Sequence, residues 1–282
     1  MNTTSNVSTD LIRTELVNQG HSFLRIPERI ISLTKILDAS WEEFIAQPFY
    51  IKQKHTFVNG VGYEYRGFTE LDYKETFHVT KKYVLHNSAT TVDRYYVETA
   101  QGFIEETSDF AFELIGSLFE SYGYNKAYLQ SNRSCTHLLR SIHYFPRTMD
   151  QVLQEKSIAA ASHVDKGVTI HWFQTNDGLQ ILWEGEWRMI VHPDDVVMFY
   201  MGLLGQLHSN CDFIAVCHRA IVTPQTEVSG RRVHVSFIDF GDWFYDKEKW
   251  GSAQTSFPAG ENYLMNKKKF TKYFSQGEVK VH

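Results

Sequence analysis

From Thr136 onward the chain runs in short alternations of apolar and polar residues, each closed by Gly, Pro, Asn or Asp. They read "THLLRSIHYFP", "GVTIHWFQ", "LQILWEGEWRMIV", "DVVMFYMG", "FIAVCHRAIV" and "RRVHVSFIDF". A period of two sends successive side chains to opposite faces of a strand, and many such runs at close spacing predict an antiparallel sandwich or barrel. Gly185 in "WEGEW" stands where a hairpin turn needs it, and "HPDD" marks another turn.

The first half reads differently. In "DLIRTELVN", Leu11, Leu16 and Val17 lie near helical spacing behind a capping Asp10, with Gly20 as the stop. The short strand "HSFLRIP" follows, then an amphipathic helix in "IISLTKILDASWEEFIA". "GFIEETSDFAFELIGSLFESYG" carries Phe103, Phe110, Phe112, Leu114, Ile115, Leu118 and Phe119 at helical spacing before Gly123. The tyrosine-rich stretch from Phe57 to Thr80 reads as strand and loop, and "LMNKKKFTKYF" as a solvated terminal helix. The expected fold is mainly β with flanking helices, a double-sheet jelly roll. With 282 residues, 43% of them hydrophobic, the chain can bury one large core. The reading is a single domain: a helix-and-strand support region over 1–130, the jelly-roll core over 131–245 and a C-terminal extension over 246–282.

Charge and cysteine usage narrow the partners. A net charge of -5 offers no basic stripe to neutralise phosphates, so a small molecule is expected rather than nucleic acid. Cys135, Cys211 and Cys217 form no CxxC pair and are odd in number, as suits a reducing compartment. No apolar run reaches the roughly 20 residues of a bilayer span, and "MNTTSNVSTD" lacks the regions of a signal peptide. A cytoplasmic protein without a membrane partner is the expectation; oligomeric state is open.

"SHVDKGVTIHWF" sets His163 and Asp165 two apart at the head of a strand, where both project to one face and can chelate one ion. A second histidine would complete two imidazoles and a carboxylate on one side of an octahedron, the arrangement that leaves non-haem Fe(II) open positions for cosubstrate and oxygen. His218 in "FIAVCHRAIV" is one candidate and His208 another. His171 lies too far along the same strand as His163, and His192 precedes Pro193 in a turn.

The segment from His163 to Pro224 resembles the iron-binding core of the Fe(II)- and 2-oxoglutarate-dependent oxygenases, in their isopenicillin N synthase-like branch. The residues that carry the resemblance are His163, Asp165, Thr169, Gly178-Leu179-Gln180, Trp187, Gly202 and His218-Arg219, in the family's order. Weaker likeness extends to "ELVNQGHSFLRIP", "LDYKETFHV" and "LLRSIHYFP". The resemblance implies that His163, Asp165 and His218 ligate iron. It also implies that an arginine, with a serine two residues later, holds the far carboxylate of 2-oxoglutarate. "GRRVHVSFIDF" departs from that pattern. Arg232 is taken as the anchor, with His234 in the serine's position and Ser236 on the same face; Arg231 is read as a solvent-facing charge. An asparagine and a tyrosine that contact the cosubstrate in the family correspond to His143 and Phe145. Tyr63, Tyr144, Trp172 and Phe199 are candidates for the substrate pocket.

The chemistry so implied uses Fe(II), 2-oxoglutarate and O2 to hydroxylate, desaturate or cyclise a small molecule such as an amino acid, a peptide or a secondary-metabolite intermediate. Two alternatives stay open: an isopenicillin N synthase-like oxidase acting without 2-oxoglutarate, and a non-catalytic jelly-roll binding protein.

Overall fold

Alternating residues become strands only when partners satisfy their backbone groups, and the computed structural model supplies those partners in two sheets. It describes residues 9–56, 67–123, 137–148, 150, 159–165 and 167–238, apart from the side chains of Leu207 and His208. The strands are β1 (His21–Arg25), β2 (Phe68–Leu71), β3 (Lys74–Val79), β4 (His137–Tyr144), β5 (Ala160–Val164) and β6 (Val168–Gln174). Then come β7 (Leu179–Trp183), β8 (Glu186–Ile190), β9 (Val196–Met201), β10 (Cys217–Ala220) and β11 (Arg231–Ile238). A seven-stranded sheet has the order β1-β9-β6-β11-β4-β3-β2, and a four-stranded sheet the order β5-β10-β7-β8. All of these pairings are antiparallel, as the alternation predicts.

The helices are α1 (Thr9–Gln19), α2 (Glu28–Ile45), α3 (Phe49–Lys52), α4 (Thr91–Phe119), α5 (Leu203–His208) and α6 (Pro224–Ser229). Gly20 ends α1 at a φ of +77°, a left-handed conformation that glycine adopts without a Cβ clash. Helix α4 begins well before the "GFIEE" stretch, because Thr90 and Asp93 form a capping box that satisfies its first amides. The β7–β8 hairpin turns on Glu184 and Gly185, both at positive φ, the geometry that matches strand twist in a two-residue turn.

Both faces of the large sheet are covered. One face packs against α2 and α4 through Leu37, Trp41, Phe44, Phe103, Phe112, Leu139, Ile170, Phe199 and Ile238. The other faces the small sheet through two apolar clusters, one with Ile142, Ala160, Ala220, Val233 and Val235, the other with Leu179, Ile181, Met198, Tyr200 and Val216. The terminal-helix expectation and the extension over 246–282 lie outside the described residues, as do Tyr63 and Cys135.

Candidate metal centre

The small sheet creates the site by register. His218 of β10 sits directly opposite His163 of β5, with ring centroids 4.3 Å apart. Asp165 follows the end of β5 in a loop pinned by two backbone bonds, Gly202 N–H to the Gly167 carbonyl (2.7 Å) and Leu203 N–H to the Asp165 carbonyl (2.9 Å). A Cβ at Gly202 would collide with both of those carbonyls, so the close approach needs glycine. The result brings His163 Nε2 to 3.7 Å from Asp165 Oδ1 and His218 Nε2 to 3.6 Å from Asp165 Oδ2. One ligand atom from each residue lies within 4.8 Å of the others.

The donor set fits a divalent first-row metal. His163 Nδ1 lies 2.8 Å from the Ala161 carbonyl and His218 Nδ1 3.2 Å from that of Val216. Those carbonyls accept from Nδ1–H, which fixes the tautomer that leaves each Nε2 lone pair free to coordinate. Thr169 Oγ1 donates to Asp165 Oδ2 at 2.7 Å, and the Tyr200 hydroxyl donates to the same oxygen at 3.2 Å. Burial opposes ionisation of Asp165, but the adjacent His218 and His163 and the Thr169 bond outweigh it and hold the carboxyl below its usual range. Burial also pushes His218 down, with Asp165 partly opposing, which favours the neutral imidazole that a metal requires. His163 is the open side of the centre, its side chain 47% exposed, against 9% for each of the other two.

A small cavity of about 60 Å³ lies between the sheets over this centre. Its lining includes Lys74, Arg140, Tyr144, His171, Tyr200 and Arg231 beside the three clustered residues. Arg231, expected in solvent, is 3% exposed. Its Nη2 donates to Gln174 Oε1 at 2.5 Å and its Nε to the Asn176 carbonyl at 3.1 Å, and its guanidinium carbon lies 5.7 Å from the Tyr144 ring centre.

The expected anchor residues are turned the other way. Arg232 leaves the sheet towards α2, where it donates to both carboxylate oxygens of Asp38 (3.0 and 2.8 Å) and to Glu42 (3.3 Å). His234 Nε2 lies 3.1 Å from Asp38 Oδ1 and its Nδ1 2.9 Å from Ser141 Oγ. Ser236 Oγ accepts from Trp172 Nε1 at 2.7 Å and lies 2.6 Å from His137 Nε2. These three therefore belong to the helix-facing side, and their partners are structural. The same parity applies to β4. His143 pairs with Glu75 at 3.0 Å on the outer side, whereas its neighbour Tyr144 lines the cavity. Phe145, past the end of β4, packs edge-on against His143 and borders a smaller adjoining cleft. Among the substrate-pocket candidates, Tyr144 lines the cavity. Trp172 instead packs edge-on against Phe103, and Phe199 is fully buried in the helix-facing core. The rival ligand His208 has no described side chain.

Sequence reasoning missed Arg231, Lys74, Arg140 and Tyr200. The signal for Arg231 was its pairing with Tyr144, which sets both on one face, but that pairing is visible only once β4 and β11 are aligned.

No protein-family model matches the chain. A curated relative from Solanum lycopersicum, a 1-aminocyclopropane-1-carboxylate oxidase homolog, is 30% identical over 153 residues, which are 54% of this chain and 40% of the relative. The matched stretch thus spans well under half the length of that relative. Among solved structures, a full-length Neurospora crassa protein in complex with alpha-KG and 5-formyluracil superposes with a TM-score of 0.71 at 17% identity, covering 82% of this chain and 77% of that one. A putative 2OG-Fe(II) oxygenase family protein from Caulobacter crescentus superposes with a TM-score of 0.67 at 14% identity, covering 95% and 93%.

Proposed function

We propose that this chain, which has the double-stranded β-helix fold of the Fe(II)- and 2-oxoglutarate-dependent oxygenases, is an oxidoreductase of that kind acting on a small molecule. The observation that carries this reading is the convergence of His163, Asp165 and His218 on one point of a cavity that also holds a buried arginine, Arg231. In this reading the three residues hold Fe(II), as the resemblance implies. Arg231, rather than Arg232, receives the far carboxylate of 2-oxoglutarate, with the Tyr144 ring beside it.

Bound iron and 2-oxoglutarate supply oxygen activation, with succinate and carbon dioxide released as a carbon–hydrogen bond of the substrate is oxidised. The chain's own part is to orient and to exclude. Thr169 and Tyr200 aim the Asp165 carboxylate, the two backbone carbonyls set the histidine tautomers, and Gly202 locks the loop that carries Asp165. Arg231 offers charge-assisted donors from a buried position, 3% exposed, where such a pair is strong. The surrounding apolar walls, Val233, Val235, Leu179 and Phe237, keep water from competing with the substrate. Hydroxylation, desaturation and ring closure all fall within this chemistry. A cytoplasmic setting is supported by Cys211 and Cys217, which form no disulfide among the described residues. Among the described residues no helix is long and apolar enough to cross a membrane.

A second reading is favoured by one residue. Two positions after Arg231 stands Val233, not a hydroxyl, so the anchor is thinner than the resemblance leads one to expect. An oxidase that takes all its electrons from the substrate would tolerate that change. Anaerobic titration of the Fe(II)-loaded protein with 2-oxoglutarate separates the two. A saturable visible charge-transfer band supports the oxygenase; iron that binds without the band supports the oxidase. Failure to bind iron at all would overturn both.

A further inference from the structure

The cavity holds more positive charge than the proposed cosubstrate can use. An Fe(II) ion and Arg231 are matched by Asp165 and the two carboxylates of 2-oxoglutarate. Lys74 and Arg140 line the same cavity and are left over. Among the described residues neither forms an ion pair with a carboxylate. Arg140 donates from Nε to His78 Nε2 at 2.6 Å and lays its guanidinium over the Phe237 ring at 4.6 Å, which holds the group in place while its two terminal amines make no described hydrogen bond. The Lys74 ammonium makes no described hydrogen bond either; it lies 5.4 Å from the Tyr73 ring centre and 5.5 Å from that of Tyr144.

The two groups are neighbours by register. Lys74 and His78 share a face of β3, and Lys74 pairs with Tyr144 and His78 with Arg140 across to β4. The Tyr144 ring has Arg231 within 5.7 Å and Lys74 within 5.5 Å, so it adjoins both cationic regions. Burial and the nearby Arg140 pull the Lys74 ammonium down to about 8, so keeping it charged in this setting costs free energy that a bound anion returns.

Resting on the oxygenase reading above, we propose that Lys74 and Arg140 form an anion-binding subsite that selects an acidic substrate, a small molecule bearing a carboxylate. The carboxylate sits on the β3–β4 side of the cavity and directs the rest of the molecule towards the His163–Asp165–His218 centre. Arg231 is left to the cosubstrate.

The test is calorimetric and does not depend on turnover. Acetate, hexanoate and phenylacetate, each beside its primary amide, are titrated anaerobically into the protein with and without saturating Fe(II) and 2-oxoglutarate. At least one acid should bind about tenfold or more tightly than its amide in both states. Lys74→Gln and Arg140→Gln should each abolish that preference while leaving half-saturation by 2-oxoglutarate, read from the charge-transfer band, within about twofold. If Arg140→Gln does not fold, Arg140→Lys should keep the preference and Lys74→Gln decides alone. No preference for any acid over its amide would overturn the proposal. So would a tenfold loss of 2-oxoglutarate affinity in the Lys74 variant, which would hand that cation to the cosubstrate. Acid preference without any charge-transfer band would leave the subsite standing and remove the oxygenase reading beneath it.

Discussion

Replacing Arg231 by glutamine removes a buried cation at the Tyr144 end of β11 while keeping a side chain of similar reach. Its Nε and Nη2 are committed to the Asn176 carbonyl and to Gln174, which fix the plane of the guanidinium and leave Nη1 without a described protein partner. A carboxylate arriving there would gain charge-assisted bonds at a buried position. Losing them costs about 3 kcal/mol, or roughly a hundredfold in Kd for 2-oxoglutarate. Arg232→Gln is the matched control. It removes a partly exposed ion pair with Asp38 and Glu42 on the opposite face of the sheet, so it should lower stability by about 1 kcal/mol and leave that Kd within about twofold. The assay is the anaerobic charge-transfer titration of Fe(II)-loaded protein, with thermal melts as the folding control. Equal weakening in the two variants, or a larger effect at Arg232, would refute the assignment of faces and with it the anchor.

Two hydrogen-bonded carboxylates offer further tests. Thr169→Val keeps the shape at the base of the centre but removes the 2.7 Å bond to Asp165 Oδ2, and should weaken Fe(II) about 10- to 100-fold by equilibrium dialysis; unchanged affinity would mean that Tyr200 suffices to orient the carboxylate. Asp38 is raised by burial but brought down further by hydrogen bonds from His234 and Arg232, to about 2 from an ordinary 3.8. A depressed folded-state carboxyl stabilises the native state above its unfolded value, and that contribution is lost as pH falls from about 4 through 2. Up to about 2 kcal/mol should therefore disappear over that window in urea titrations, and Asp38→Asn should lack this acid limb. An identical acid limb in the variant would show that Asp38 does not carry it.

How much of the centre was legible depended on how local each feature is. His163 and Asp165 could be taken together from twelve residues of sequence, although not as members of one strand with His171: His163 lies in β5, Asp165 in the loop after it and His171 on β6 in the other sheet. His218 as the third member of the cluster required knowing that β10 returns beside β5, which the order of motifs supplied by resemblance and the spacing did not. Lys74 and Arg140 lie outside the segment from His163 to Pro224, in the weakly similar "LDYKETFHV" and "LLRSIHYFP", and no neighbour in sequence shows that the two share a cavity.

The faces of β11 show most clearly where sequence stops. Alternation in "RRVHVSFIDF" separates Arg232, His234 and Ser236 from Arg231, Val233, Val235 and Phe237, and that division holds. Which set faces the cavity is a different question. Polar side chains were expected to line the pocket, but both faces of this sheet are buried, and Asp38 of α2, Ser141, His137 and Trp172 supply polar partners on the helix side. Strand periods, the two sheets' worth of segments and the closeness of His163 to Asp165 could all be read from the chain's own order of residues, because each depends on neighbours a few positions apart. That the cavity receives Arg231 rather than Arg232 could not. A one-residue step in a strand reverses the face, and the choice between faces is made by elements nearly two hundred residues away, where Asp38 holds Arg232 and His234.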